Sequence, residues 1–398
     1  MDESSCVPLD RPTSHLPCVT PVPSSAIAFV HAALRRDAVA GGAMREAGEV
    51  QDWPAVVRLA HEQDVLWWVA RALPAEVPRE VRASVADALR AQTFAALAGA
   101  RQLLELLSVL RDAGIQAAAY KGPALAVDVH GDLGARRFFD LDVLVARLDR
   151  DRAARVIGEA GYARPASLSS RAERVYSRWE GVMHRERIDS LPVELHWRCQ
   201  AARYGGPGDP AQVLSRTRTC ELGGGRAAVP AATDLAVLLA LHGTKHAWRL
   251  LLWVVDFAAA VDRADFDWEA YLERAREWGV RRAALYAALV AQAIAGVGLP
   301  RRVADVAQRD RPAVRLAAAI VARHRGVSAD AHVGGDSEPR YDLLWQDGFA
   351  ARLRYVTIAA ALPTPRDRDA FHLPDGWLAL SYPARAWRLL RHAADHRP

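Results

Sequence analysis

The sequence predicts an α+β protein: a small mixed β-sheet core between flanking helices, with a largely helical C-terminal region. Two observations carry this. Helix-period apolar patterning runs from about Ala26 to Leu110 and resumes from Thr233 onward. Between them, residues 114–197 hold short β-branched runs broken by glycine and proline. The 398 residues, 51% apolar, suffice for a large core divided among two or three substructures.

Residues 1–24, including PLDRPTSHLPCVTPVPS, read as a disordered leader. Asp2, Glu3, Pro8 and Asp10 precede any apolar stretch, unlike a secretion signal. Residues 25–110 form a helical region in which Val81–Leu110, free of proline, predicts one long amphipathic helix. Residues 111–222 form the α/β core. There GIQAAAY after Ala113 predicts a strand that KGP ends, and 123–130 a helical turn or two. DLDVLV at 140–145 predicts a strand, and Asp149–Ala160 a helix closed by Gly161. Residues 173–188 and 193–197 predict two more strands separated by the turn DSLP. GGPGDP from Gly205 and GGG at 223–225 are breakers. Residues 223–398 form a helical C-terminal domain with a polar loop around 328–340.

The net charge of +5 and pI of about 9.2 are mild for this length. They permit an anionic ligand, but without an arginine–aromatic strip they argue against nucleic acid. Among 52 basic residues only Lys121 and Lys245 are lysines, compact charges suited to phosphate oxygens. Cys6, Cys18, Cys199 and Cys220 have no zinc-type spacing and read as free thiols in a reducing compartment. The longest apolar run, Leu250–Val261, is interrupted by Asp256 and too short to span a bilayer, so a cytoplasmic protein without membrane attachment is expected.

Asp140 and Asp142 stand two apart in a predicted strand, which places both carboxylates on one face. Such a pair repels unless it is solvated or shares a cation. Glu194 in PVELHW is a third acid in an apolar strand pattern. Carboxylate oxygens are the ligands magnesium prefers, and one or two such ions activate a hydroxyl nucleophile and stabilise a pyrophosphate leaving group. A bare D-x-D more often caps a strand end. Here the surroundings reverse that reading, because Gly122 follows a strand and permits close backbone approach to phosphate, with Lys121 beside it.

The order YKGPAL, RRFFDLDVLV, GY, VELHW and LHGTKHAW…LLWVVDFA, with LPTPRDRDAFHLP near the C-terminus, is similar to a poorly characterised bacterial nucleotidyltransferase family of the polymerase-beta superfamily. The resemblance covers roughly residues 50–392. It implies a nucleotidyltransferase α+β core and metal-dependent transfer of a nucleotidyl group from a nucleoside triphosphate, ATP or another, to an acceptor. By position, Gly122 matches the family's glycine turn, Asp140 and Asp142 its paired acids, and Glu194 its third acid. Pro123 departs from the superfamily pattern, since it removes one N–H where a second glycine or serine is common.

On one helix His242, Lys245, His246 and Arg249 share a face, continued by Trp253 and Asp256 if the helix does not break. Lys245, with His242, is read as facing the triphosphate, a placement the resemblance implies. A zinc role for His242 and His246 is the weaker reading, because no glutamate follows His242. Asp256 is read as a structural partner of Arg249 or another arginine. Arg136 and Arg137 are weighed between phosphate contact and pairing with Asp140 or Asp142, with Arg137 retained among the nucleotide-binding residues. His196 shares the face of Glu194 and is read as a supporting hydrogen-bond partner.

The expected enzyme therefore uses Asp140, Asp142 and Glu194 to bind magnesium, or manganese in its place. Lys121, Gly122, Arg137, Lys245 and His242 hold the nucleotide. The acceptor is a hydroxyl of an unidentified small molecule or peptide. The rival readings are a nucleotide-binding regulatory module that keeps the fold, and a toxin–antitoxin-type transferase acting on a macromolecule.

Overall fold

The computed structural model describes residues 22–35, 50, 52–166, 169–206, 208–326 and 339–362, together with 377, 380–385, 387 and 391. Nearly all of the leader, most of the 328–340 loop and most of the LPTPRDRDAFHLP segment lie outside them.

Helices α1 (Ser24–Ala33), α2 (Trp53–Glu62) and α3 (Leu66–Ala72) precede the long helix α4 (Arg79–Asp112). On α4, Leu103, Leu106, Leu107 and Leu110 recur at helical spacing and are buried, so its second half packs inward. By length and composition alone this helix also meets the test for a membrane span.

The core follows as β1 (Ala117–Ala119), α5 (Gly122–His130), β2 (Leu141–Val145), α6 (Arg150–Glu159), α7 (Ser170–Glu180), β3 (Val182–Arg185) and β4 (Val193–His196). The four strands form one sheet in the order β1-β2-β4-β3. β2 and β4 run parallel, and β1 and β3 pair antiparallel at the two edges, so the sheet is mixed as predicted.

Alternation gives this sheet two different faces. Leu141, Val143, Val145, Val193, Leu195 and Met183 join one core with α4 and α6. Ala118, Tyr120 and Leu144 point the other way, into a larger core built with the helical regions. Asp142 alternates with Leu141 and Val143 and so belongs to this second face.

Three sequence expectations are corrected. Residues 173–180, expected as strand, belong to α7. The Ser169 hydroxyl accepts the Ala172 N–H at 3.1 Å, and Gly181 ends the helix at φ +78°. These caps outweigh the β-branched and aromatic content of the segment. The second missed feature follows the short α8 (Ala211–Leu214): β5 (Arg218–Leu222) and β6 (Gly225–Val229) form a hairpin around Gly223–Gly224, which the sequence showed only as a breaker.

Then come α9 (Ala232–Lys245), α10 (Leu251–Val261), α11 (Trp268–Glu277), α12 (Arg281–Ala295), α13 (Arg301–Arg309), α14 (Arg311–His324), α15 (Pro339–Trp345) and α16 (Gly348–Ala361). The helix expected to run through 234–261 breaks. Ala247 and Trp248 adopt φ of +50° and +49°, and the Trp248 N–H donates to the Gly243 carbonyl at 2.7 Å. Arg323 and His324 of α14 bond the freed carbonyls at this corner, which stabilises the break.

Candidate active site

The sheet register builds the site. Asp142 pairs with Glu194 across β2 and β4, and Glu194 pairs with His184 across β4 and β3. Residues directly opposite one another share a face, so these three form a row, with His196 two residues beyond Glu194 on the same side. Ligand atoms of Asp142, Glu194 and His196 all lie within 4.8 Å of one another.

Asp142 is buried and densely contacted on one oxygen only. Its Oδ1 accepts from Lys121 Nζ at 2.7 Å and lies 3.1 Å from His196 Nε2. His196 Nε2 is also 3.1 Å from Glu194 Oε2, so one ring nitrogen bridges the two carboxylates. His184 Nδ1 stands 3.4 Å from Glu194 Oε1. Asp142 Oδ2 is buried and has no hydrogen-bond partner among the described residues. The Tyr120 ring meets His196 edge-on at 5.5 Å.

The charges support one another. Burial pushes the Lys121 ammonium down, but Asp142, Glu194 and Asp140 overcome it and leave it above the ordinary lysine value. Burial likewise raises Asp142 and Glu194. Lys121 and His196 outweigh this, so both carboxyls titrate below the usual range. His196 is held above an ordinary histidine against its burial by the two carboxylates. Asp140 differs, because burial and then the Asp142 charge raise it to about 6.

Asp140 immediately precedes β2 and lies outside the converging group of three, though it feels Asp142, Lys121 and Glu194 electrostatically. Gly122 opens α5 at φ +62°, and a β-carbon there would come 3.5 Å from the Asp140 carbonyl oxygen. The glycine turn is therefore seated against the acidic strand in a conformation other residues rarely adopt. Pro123 occupies the first turn of α5, where a missing N–H breaks no helical bond.

The arginines before the acids have other partners than Asp140 or Asp142. Arg136 is buried, pairs with Asp256 at 3.1 Å and donates to the Gly122 carbonyl at 3.3 Å. His130 Nε2 lies 2.8 Å from the other Asp256 oxygen. Arg137 pairs with Asp64 at 3.1 Å. Asp256 thus serves an arginine structurally, and that arginine is Arg136.

Lys245 ends α9. Burial lowers its ammonium, Glu180 and Glu194 oppose this, and Lys121 and Arg203 add to the lowering. Its side chain has no hydrogen bond or ion pair with a described residue. Burial, then Lys121, also pushes His242 well below its ordinary value. The rings of His242, His246 and Trp253 cluster at 4.9–5.3 Å, and no metal-ligating third group joins the two histidines among the described residues. Arg249 leaves the stripe because the helix breaks before it. His184 was not singled out from sequence. Its only signal is strand register, which appears once β3 is paired.

A family model described as an uncharacterised nucleotidyltransferase matches residues 49–296, more than half of the chain and all six strands. Neither the curated proteins nor the solved structures yield a match.

Proposed function

The chain belongs to this uncharacterised nucleotidyltransferase family, a transferase family whose substrate is a nucleoside triphosphate, and on that premise we propose that it moves a nucleotidyl group to a hydroxyl of a small molecule or peptide in a metal-dependent reaction. The observation that carries the reading is the facing Asp142–Glu194 pair with one buried Asp142 oxygen left unbonded.

The donor set fits a divalent cation. Asp142 and Glu194 offer carboxylate oxygens, with Asp140 adjacent and His196 within the same 4.8 Å group. An orphaned buried carboxylate oxygen is costly unless something occupies it. Oxygen ligands favour magnesium, with manganese as a substitute, and the nitrogen of His196 suits manganese better. Bound there, such an ion supplies charge neutralisation for phosphate oxygens and a more acidic acceptor hydroxyl.

The protein's own groups do the positioning. Gly122 lets backbone approach the phosphates closely, and Lys121 adds a positive charge at the turn. Lys245, on α9, feels the charges of Lys121 and Glu194, and with His242 its ammonium offsets charge on the leaving pyrophosphate. His196 holds Asp142 and Glu194 at a fixed separation. No covalent intermediate is needed, since positioning and charge stabilisation carry phosphoryl-type transfer.

The test is incubation of the full-length protein with each labelled nucleoside triphosphate, magnesium and fractionated cell extract. Pyrophosphate release and label transfer are expected, and both vanish in Asp142→Ala with the circular dichroism spectrum unchanged. Nucleotide binding without turnover in any fraction contradicts the enzyme reading and favours a binding module.

A further inference from the structure

Arg198 stands just past β4, two residues beyond His196. The N–H groups of Trp197 and Arg198 both donate to the Gly181 carbonyl, at 2.9 and 3.2 Å, a bulge-like arrangement that ends the regular strand. The Arg198 stem passes over Gly181, where a β-carbon would overlap its Cβ, Cγ and Cδ. Its Nη2 lies 3.5 Å from the position a β-carbon on Gly208 would take. The side chain is thus seated in a niche walled by two glycines.

Among the described residues no carboxylate in this niche forms an ion pair with Arg198. The Arg198 Nε is buried without a hydrogen bond, and the side chain forms no ion pair with a described residue. Arg216, Arg218 and Arg274 also carry a buried unbonded nitrogen, yet each has a carboxylate, from Asp234 or Asp128. Arg198 feels the charge of Arg147, two residues past β2, which is exposed and forms no ion pair with a described residue. Asp209 is the neighbouring acid, but its Oδ1 accepts the N–H groups of Arg147 at 3.3 Å and Ala211 at 3.0 Å. Burial, and then the Arg147 charge, push the Arg198 guanidinium below its ordinary value against the opposing charge of Asp209.

The placement has a direction. β2 and β4 are parallel, so Arg147 and Arg198 sit at the same end of the pair. The glycine turn sits at the other end, against Asp140. Asp142 and Glu194 lie between. Arg198 stands four positions beyond Glu194, at most about 13 Å away if the chain were fully extended.

We propose that Arg198 and Arg147 form an oxyanion site that holds a phosphate or carboxylate group of the acceptor, on the far side of the acidic pair from the triphosphate. Two guanidiniums with no ion-paired carboxylate among the described residues present fork-shaped donors that match such a group. The acceptor assignment rests on the transferase reading, whereas the oxyanion site does not.

The test uses full-length protein without metal or nucleotide, titrated calorimetrically with inorganic phosphate and separately with acetate at constant ionic strength. Saturable binding of one of them is expected, and the tighter of the two identifies the chemistry of the group. Arg198→Gln weakens it about tenfold, the loss of one charge-assisted hydrogen-bond pair. Arg147→Gln, at an exposed position that leaves the fold intact, weakens it severalfold. No binding, or affinity unchanged in both variants, overturns the site even if transfer activity is found. Once an active extract fraction is known, Arg147→Gln is expected to raise the acceptor KM with the nucleotide KM unchanged. A rise in the nucleotide KM instead overturns the acceptor assignment while leaving the oxyanion site standing.

Discussion

Asp142 and Glu194 are direct register partners across the parallel β2–β4 pair, and the His196 ring nitrogen stands 3.1 Å from an oxygen of each. Two carboxylates are thus brought together by backbone hydrogen bonding rather than by flexible loops. Their mutual repulsion is offset by Lys121 and His196.

Replacing His196 tests whether the bridge orients the acids. His196→Ala is expected to weaken manganese binding about 10- to 100-fold, as loss of a ligand or of an orienting partner does. His196→Gln, which keeps a donor, recovers part of it. Equal affinity in wild type and His196→Ala contradicts an orienting or ligating role.

Gly122 at φ +62° predicts a local cost. Gly122→Ala is expected to lose about 1–2 kcal/mol of stability in urea unfolding, the penalty for a β-carbon in the left-handed region. The nucleotide KM should rise more than the acceptor KM. A variant as stable as wild type with both KM values unchanged would falsify the role of the turn.

The buried Arg136–Asp256 pair ties α10 to the Gly122 carbonyl. Asp256→Asn leaves a buried guanidinium without its counter-charge, at an expected cost of about 3–5 kcal/mol. Arg136→Met combined with Asp256→Leu recovers part of that stability but not the nucleotide KM. Full recovery of both would show that the pair does not position the turn.

His324 donates to the Trp248 carbonyl at 2.7 Å as its neutral form, and burial followed by Arg323 lowers its pKa from 6.5 to about 3. A depressed folded pKa means that the unfolded chain binds the extra proton first. The stability from this group is therefore complete above about pH 6.5 and is lost as pH falls toward 3, at up to about 1.4 kcal/mol per unit. Urea unfolding at pH 7, 6 and 5 is the check. His324→Asn should remove this part of the slope, and an unchanged slope contradicts it. His31 and His242 add the same sign and His196 the opposite one, and all cancel in the comparison.

Much of the site was legible in the residues themselves. DLDVLV and VELHW carry an acid at alternating spacing within apolar strands, and that period is a backbone property, independent of the rest of the fold. The glycine turn was legible for the same local reason. Features decided by tertiary contact were not. The helix at 234–261 breaks because α14 stabilises the corner at Ala247–Trp248. Asp256 finds Arg136 from 120 residues away. His184 enters the acidic row only through the pairing of β3. The α7 segment shows local capping overriding side-chain propensity, a signal present in Ser169 and Gly181 but outweighed in the reading by the residues between them.

The account stands on Asp142 and Glu194 holding a divalent ion together, and manganese binding followed by electron paramagnetic resonance reads this without any acceptor. Wild-type protein should bind manganese saturably. Asp142→Asn and Glu194→Gln should each weaken it at least about tenfold, in line with loss of a charged oxygen ligand. Wild-type protein that takes up no manganese, or both variants binding as wild type does, would contradict the account.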